Sequence, residues 1–412
     1  MSASRSDSWA AKTSAGDMQL RTRKKRGFEK TEAALPLTKP STSLAMKAVD
    51  VVGLLSYFGK RNPLPRPVRA GDVVWMLDNV AYKSGSGDSW QAEFVSAVFE
   101  GEPKCAVVDV VQVIARLISL ADDAQELATI EERLMPFLWD VRAGRRFTAV
   151  HADKKFVLGP TDSKGISSDI VRLPPSAPGS ITRTSATVPA GVHGLLQSWT
   201  YFAEPEGWSV VSDIDDTIKV TLTGDPIGIL HSTFVSKPTP IQGMPELYAA
   251  LKAMLPHDTP WFYVSASPYN LYPFLRDFRN AYYPPGAIML RETSWRTIGG
   301  LLSALTRGTG EYKVERFTKI HSWFPKRKMI FIGDSTQSDP ESYGELCRLF
   351  PGWVKCILIR KVLDIAAVGI EEKNEPERFE VAFKGIPRDI WHVFEKPEEC
   401  NEILRDLIQH DR

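Results

Sequence analysis

The chain has 412 residues, enough for two or three domains with sizeable cores, and its 43% apolar and 25% charged content is that of a soluble globular protein. A net charge of +1 excludes a global field toward nucleic acid or anionic membranes, so any such attraction must come from a local patch. The four cysteines (Cys105, Cys347, Cys356, Cys400) are far apart and form no CxxC pair, which predicts a reduced, intracellular protein and argues against a zinc site.

Residues 1 to about 40 are rich in Ser, Lys, Arg and Ala and carry few large apolar residues, so they cannot offset their ordering entropy and read as disordered. The basic run Arg21-Thr22-Arg23-Lys24-Lys25-Arg26 lies inside this tail. It fits solvated tail charge, contact with an anionic membrane surface or a nuclear address. Ser43–Phe58 is dominated by apolar residues and followed by Lys60 and Arg61. At about 16 residues it is short for spanning a bilayer but long enough to lie in its surface or to pack on the protein's own core. No run reaches about 18 apolar residues, so no spanning helix is expected. The N-terminus lacks an early apolar core and cleavage site, which speaks against secretion.

Pro63, Pro65 and Pro67 mark a boundary. Asp72–Asp78 and Trp90–Phe99 read as strands, with turn chemistry at Gly85-Ser86-Gly87 and Asp88. Val107 to about Val141 has the spacing of one or two helices with acidic residues outward. Strand-like runs return at Arg146–Leu158, Ile170–Leu173 and Leu195–Phe202. The expected division is a tail with a possible amphipathic helix at 1–65, a β-rich accessory domain with a helical insert at 66–207, and a catalytic domain at 208–412. In the last of these, apolar strands at Trp208–Ile214, Trp261–Val264, Met329–Ile332 and Val354–Ile359 alternate with helix-like stretches. That alternation predicts parallel βαβ units whose sites lie at the carboxyl ends of the strands.

The strand Trp208-Ser209-Val210-Val211-Ser212 runs into Asp213-Ile214-Asp215-Asp216-Thr217. Two carboxylates two residues apart can share one site if the backbone curls there, one attacking phosphorus and the other protonating the leaving group. An Asp-rich turn that only caps a helix reads the same way in isolation. The next strand ends in Ser265-Ala266-Ser267, where a hydroxyl and backbone N–H groups could hold a phosphate oxygen or merely make a turn. Lys313 opens a helical stretch and offers an ammonium against the combined charge of nucleophile and phosphate. Lys319, six residues on, would face elsewhere. Gly333-Asp334-Ser335-Thr336-Gln337-Ser338-Asp339 places two acids at a third strand end, a donor set for a hard cation such as Mg²⁺, with no His/Cys cluster to select a softer metal.

The ordered set DxDxT, strand-Ser, Lys and GDxxxxD resembles the four motifs of the haloacid dehalogenase superfamily. By that resemblance the fold is α/β, a Rossmann-like parallel sheet with a minimal cap. Asp213 is the nucleophile that forms an aspartyl-phosphate, and Asp215 is the general acid/base and lends its backbone carbonyl to the metal. Ser265 and Lys313 bind the phosphoryl group, with Thr217 on the substrate side. Asp334 ligates Mg²⁺, and Asp339 supports the metal or an ordered water on it, so the metal set is Asp213, Asp215, Asp334 and Asp339.

The wording Ser212–Lys219, Tyr263–Pro268, Ile332–Ser335 with Asp339-Pro340-Glu341, and the intervening Gly243-Met244-Pro245, is similar to the fungal actin-patch phosphatidate phosphatase family. The similarity runs from roughly Asp72 to Phe394. It implies Mg²⁺-dependent hydrolysis of phosphatidate to diacylglycerol and phosphate by a cytoplasmic protein peripheral to actin patches or internal membranes. Endocytic proteins would be its partners, and nucleic acid would not. Family members often carry a proline-rich tail that recruits SH3 domains, and the sequence shows none before Arg412. Only about 48 residues separate Asp215 from Val264, which leaves little room for a large cap. In the insert Thr221–Gly243, Ile227, Ile229, Leu230 and Phe234 would form an apolar rim for a headgroup held in a bilayer, or pack on the core. His231, in the same insert, would polarise the substrate phosphate or serve as a hydrogen-bonded loop residue. Arg291 and Arg296 would assist phosphate binding or be solvated, and Asp216 is expected to cap the next turn. A soluble phosphomonoesterase or phosphoprotein phosphatase on the same site, and a catalytically silent membrane or actin-patch module, are the competing readings.

Overall fold

In this computed structural model, residues 64–83, 89–103, 107–119, 123–292, 309–363 and 370–410 are described. The expected disordered tail, the basic run at 21–26, the apolar stretch Ser43–Phe58, the turn at 85–88 and Arg296 fall outside them.

Six strands form one parallel sheet: β1 (Trp208–Asp213), β2 (Trp261–Pro268), β3 (Ala287–Arg291), β4 (Lys328–Asp334), β5 (Val354–Arg360) and β6 (Trp391–Phe394). The order is β3-β2-β1-β4-β5-β6. β1 and β2 are buried at every position, which a strand tolerates only with helices over both faces. One face packs against α2 (Met244–Met254), α3 (Tyr272–Tyr282) and α7 (Cys400–His410), through Leu247, Leu251, Leu275, Phe278 and Leu404. The other carries α4 (Thr309–Trp323), α5 (Asp339–Leu349) and α6 (Pro376–Ala382), through Phe317, Ile320, Tyr343, Leu346 and Phe379. Three expected strands run longer than read, and β3 and β6 are additional. β3 is five residues after a Pro-Pro-Gly turn and β6 is four, too short for periodicity to separate them from loops.

The strand order reverses at β1 and β4. Side chains leaving the carboxyl ends of these two neighbours therefore diverge around a crevice, the usual place for a site in an open α/β sheet.

Residues 66–202 supply a second, mixed sheet of eleven strands. Its long central strand, Trp90–Glu100, pairs antiparallel with Asp72–Met76, Asn79–Lys83 and Ile166–Arg172. The run expected at Arg146–Leu158 is a hairpin, Arg145–His151 with Lys154–Leu158, broken at Ala152 (φ 48°). Ile181–Thr187 was not expected as a strand, because one of its faces is entirely polar or exposed and weakens the apolar alternation. The helical insert is two helices, Val107–Leu117 and Ala124–Leu138, the second capped by the Asp123 carboxylate accepting from Gln125 and Glu126 N–H.

The two sheets share their cores. Trp75, Phe99, Ile114 and Leu134 join the cluster formed by β1, α2 and α3, and Val80 and Tyr82 join the one under α4. Asp78 is the polar centre of this contact. Its buried carboxylate accepts from Arg276 Nε (3.1 Å) and Nη2 (3.0 Å), Arg279 Nη2 (2.9 Å) and Trp199 N–H (2.9 Å), and its own N–H donates to Tyr272 Oη (2.7 Å). Among the described residues no helix is long and apolar enough to cross a membrane.

Candidate active site

β1 delivers Asp213 at its last position, and the chain then curls. Ile218 and Lys219 N–H both return to Ile214 C=O, at 3.1 and 3.0 Å, while Asp216 takes a left-handed φ of 60° that an aspartate accepts at low cost. Ile214 and Ile218 are buried and anchor the curl. Asp216 caps the following turn, as expected. Its Oδ1 accepts from Thr221 and Leu222 N–H and its Oδ2 from Thr223 N–H and Oγ1, so it pins the loop over 219–223. The cap of α1 (Pro226–Phe234) is Asp225.

The curl sends the two motif carboxylates into different surroundings. Asp213 Oδ1 lies 2.7 Å from Lys313 Nζ, and Oδ2 accepts from Thr217 Oγ1 at 3.1 Å. Thr217 Oγ1 also lies 3.3 Å from Asp334 Oδ2, so it ties the ends of β1 and β4 together. Lys313, fully buried on α4, reaches Asp339 Oδ1 as well. Asp339 Oδ2 accepts from Asp334 N–H at 3.1 Å, and Asp334 Oδ1 accepts from Thr336 N–H at 2.5 Å and from its hydroxyl. Gly333 is required for this approach: a Cβ there would sit 2.6 Å from Asp339 Oδ2 and 2.7 Å from Tyr343 Oη.

Asp215 faces away from that group. Its Oδ1 accepts from Thr221 Oγ1 (2.9 Å), and its Oδ2 from Ser265 Oγ (2.5 Å) and Ser267 Oγ (3.1 Å). Ser265 Oγ also accepts from Ser267 N–H at 2.9 Å, so the serine read as a phosphate ligand is here a donor to Asp215. Lys219, buried on the same loop, donates to Val220 C=O (3.1 Å) and Thr221 Oγ1 (3.2 Å), with Phe274 beneath its ammonium at 5.5 Å.

Asp213, Asp334 and Asp339 place one carboxylate oxygen each within 4.8 Å of one another, and all three are buried. Burial pushes the Asp213 carboxyl well above its usual range, Lys313 opposes that, and Asp339, Asp334 and Asp215 reinforce it. Burial, then Asp339, pushes Asp334 up to about 7. Burial would lower Lys313, but Asp213, Asp339 and Asp334 hold it above its ordinary value. One ammonium thus serves three crowded carboxylates. An all-oxygen donor set with surplus negative charge fits a hard divalent cation.

Other expected residues lie elsewhere. His231 is exposed on α1 and its Nδ1 shares a hydrogen bond of 2.7 Å with Ser236 Oγ. Ile229, Leu230 and Phe234 are buried and Ile227 packs beside them, so they form core and no apolar rim. Phe234 meets Phe137 of the helical insert edge-to-face at 5.6 Å, and Arg133 donates to Ser236 C=O at 2.7 Å. The β-rich region thereby covers α1. Lys319 turns to Glu93 of the mixed sheet, at 2.5 Å. Arg291 stacks on Tyr312.

Two arginines that the sequence did not single out hold the site's loops. Arg360 Nη1 donates to Asp216 C=O at 2.8 Å, and Arg378 donates to Ser335 C=O (2.5 Å) and Gln337 C=O (2.6 Å) while pairing with Glu341 at 2.8 and 2.9 Å. Asp339-Pro340-Glu341 opens α5, so Glu341 was the available signal for such a partner.

Fold and site together define a doubly wound α/β domain with a buried acidic triad and one lysine at its switch point. Residues 208–361 match the model of the family described as phosphatidate phosphatase APP1, catalytic domain. The chain is 34% identical over 162 residues to phosphatidate phosphatase APP1 of Saccharomyces cerevisiae, 39% of this chain and 27% of that one. It is 28% identical over 159 residues to an uncharacterised protein of Schizosaccharomyces pombe, 38% of this chain and 26% of that one. The matched segment therefore spans about a quarter of each relative.

Proposed function

We propose that this chain is a Mg²⁺-dependent phosphatidate phosphatase of the haloacid-dehalogenase type, releasing phosphate from phosphatidate through an aspartyl-phosphate on Asp213. The observation that carries the reading is the division of the motif acids. Asp213 sits with Lys313, Asp334 and Asp339, while Asp215 is held apart among three hydroxyls. A nucleophile needs to be ionised beside positive charge, and a proton donor needs to be separated from it.

A Mg²⁺ ion held by Asp213, Asp334 and Asp339 would offset their charge and that of the phosphoryl oxygens. Asp213 attacks phosphorus and the ester oxygen departs with the proton of Asp215. Asp215, now a carboxylate, then takes a proton from water as it attacks the phosphorus of the aspartyl-phosphate, freeing phosphate and restoring Asp213. Lys313 favours the ionised form of Asp213 and balances the transferring group, Thr217 fixes Asp213 against Asp334, and Ser265, Ser267 and Thr221 orient Asp215. His231, bonded to Ser236, is left to a role on incoming headgroups at the surface. Residues 66–207 form a unit that roofs the catalytic one at 208–412, and the protein works at the periphery of actin-patch or internal membranes.

Phosphate release from phosphatidate vesicles in Mg²⁺, lost in Asp213→Asn, tests this. Good turnover of a soluble phosphomonoester with none of any lipid phosphate would move the substrate to the soluble class and refute the lipid assignment.

A further inference from the structure

Four neighbouring strands of the mixed sheet, Arg145–His151, Lys154–Leu158, Ile181–Thr187 and Gln197–Phe202, have two unlike faces. Side chains alternate across a sheet, so registered partners share a face. Phe147, Ala149, Leu158 and Phe202 point into the core. On the other side the register sets Val157 against Thr148 and Thr148 against Thr187, Lys155 against Val150, and Arg183 against Trp199. Arg146 and Ile181 continue that face by alternation.

This outer face is neither plainly polar nor plainly apolar. Val157 is 55% exposed, Ile181 49% and Trp199 38%, with exposed Arg146, Lys155 and Arg183 between them. The four strands contain no Asp or Glu, and Asp153 in the hairpin turn is the nearest acid along the chain. Among the described residues none of these three bases has an ion pair, although the exposed Lys326 elsewhere does. At Tyr201 the same face passes under the catalytic core, so the uncovered part continues an interface already used inside the molecule.

We infer that this face docks the protein on an anionic lipid bilayer. Bases without carboxylate partners are matched by lipid phosphates, and with a net charge of only +1 the attraction must be this local. An indole with aliphatic neighbours suits the headgroup boundary, where its ring is buried and its N–H stays wet. Exposed Val157 and Ile181 gain nothing from a nucleic-acid backbone, which separates the bilayer from that class of partner. The choice of phosphatidate as the anionic lipid rests on the phosphatase reading, but the docking does not.

The test is co-sedimentation of the full chain with vesicles of equimolar phosphatidate and phosphatidylcholine, and with phosphatidylcholine alone. Each base near an anionic surface contributes about fivefold, so Arg146→Gln/Lys155→Gln/Arg183→Gln should weaken binding to the mixed vesicles by tenfold or more. Binding should also fall as salt rises. Trp199→Ser/Ile181→Ser should lower it at all salt concentrations, with loss of quenching by brominated lipid. An unchanged thermal midpoint shows that each variant is folded. Wild-type affinity in the triple variant, equal binding to neutral vesicles, or triple-variant loss confined to an RNA homopolymer would each overturn the docking. Wild-type protein that binds mixed vesicles but releases no phosphate would support the docking and refute the phosphatase reading.

Discussion

Asp78→Ala tests whether the two sheets act as one unit. The Asp78 carboxylate is fully buried, and its loss leaves Arg279, 2% exposed, and Arg276, 12% exposed, without their counter-charge. Removing one partner from a buried ion pair costs about 3–5 kcal/mol, because the stranded charge remains desolvated. Two guanidiniums and the Trp199 N–H place this case toward the upper end. For a unit of this size, a thermal midpoint moves by about 2–4 °C per kcal/mol, so a fall of about 10 °C is expected. The effect should reach the site. Both arginines lie on α3, whose chain enters from Ser265 and Ser267, so vesicle-independent turnover should fall with the midpoint. Replacing all three charges, Asp78→Leu with Arg276→Met and Arg279→Met, should regain part of the loss, since no charge is left uncompensated. Thermal melts followed by tryptophan fluorescence, with turnover measured at a fixed low temperature, provide the assay. A midpoint change below about 1 kcal/mol equivalent in Asp78→Ala would refute the account. So would a separate transition for each sheet, only one of them shifted.

Asp215→Asn should lower turnover of an alkyl phosphate by about 10²–10⁴, and that of a phosphate ester with an activated phenol leaving group far less, because such a group departs without a proton. Equal losses on both substrates would remove Asp215 from the acid role. Lys219→Met takes away the donor behind Thr221, so it should cut alkyl phosphate turnover by more than activated-ester turnover, with KM little changed, as steady-state kinetics would show. Asp334→Asn should abolish Mg²⁺-dependent thermal stabilisation, measured as the midpoint difference with and without the ion. In the metal-free protein, burial holds Asp334 up at about 7 against an ordinary value near 3.8, so the folded state binds more protons and this group's contribution weakens stability as pH rises from the lower value to the higher. Mg²⁺ must displace that proton, so the stabilisation it gives should grow as pH rises through about 7. A midpoint difference flat from pH 5.5 to about 8 would contradict the shift.

The acidic constellation was legible because its chemistry is written locally. Sites in parallel sheets lie at the carboxyl ends of strands, so Asp213 and Asp334, each the last residue of an apolar strand, were candidates by position, although an Asp-rich turn that caps a helix reads the same way in isolation. Helical spacing likewise separated Lys313 from Lys319, which point to Asp213 and Glu93 respectively. Spacing said nothing of which way each carboxylate turns after the strand. The curl closed by Asp216 aims Asp213 at Lys313 and Asp215 at Ser265, Ser267 and Thr221, and that depends both on bonds within the loop after the strand and on bonds to a segment 50 and 52 residues away. The insert Thr221–Gly243 was equally ambiguous. Its apolar residues are core only because Phe137, about a hundred positions away, lies against Phe234. Arg378 was invisible for the same reason, since its partners Ser335, Gln337 and Glu341 are set beside it by the packing of α6 on α5. The sequence by itself determined which acids stand at strand ends and which lysine stands on a neighbouring helix, through residue type and spacing. Only the tertiary structure decided which of them meet, because desolvation and hydrogen-bond partners are properties of what the fold brings near.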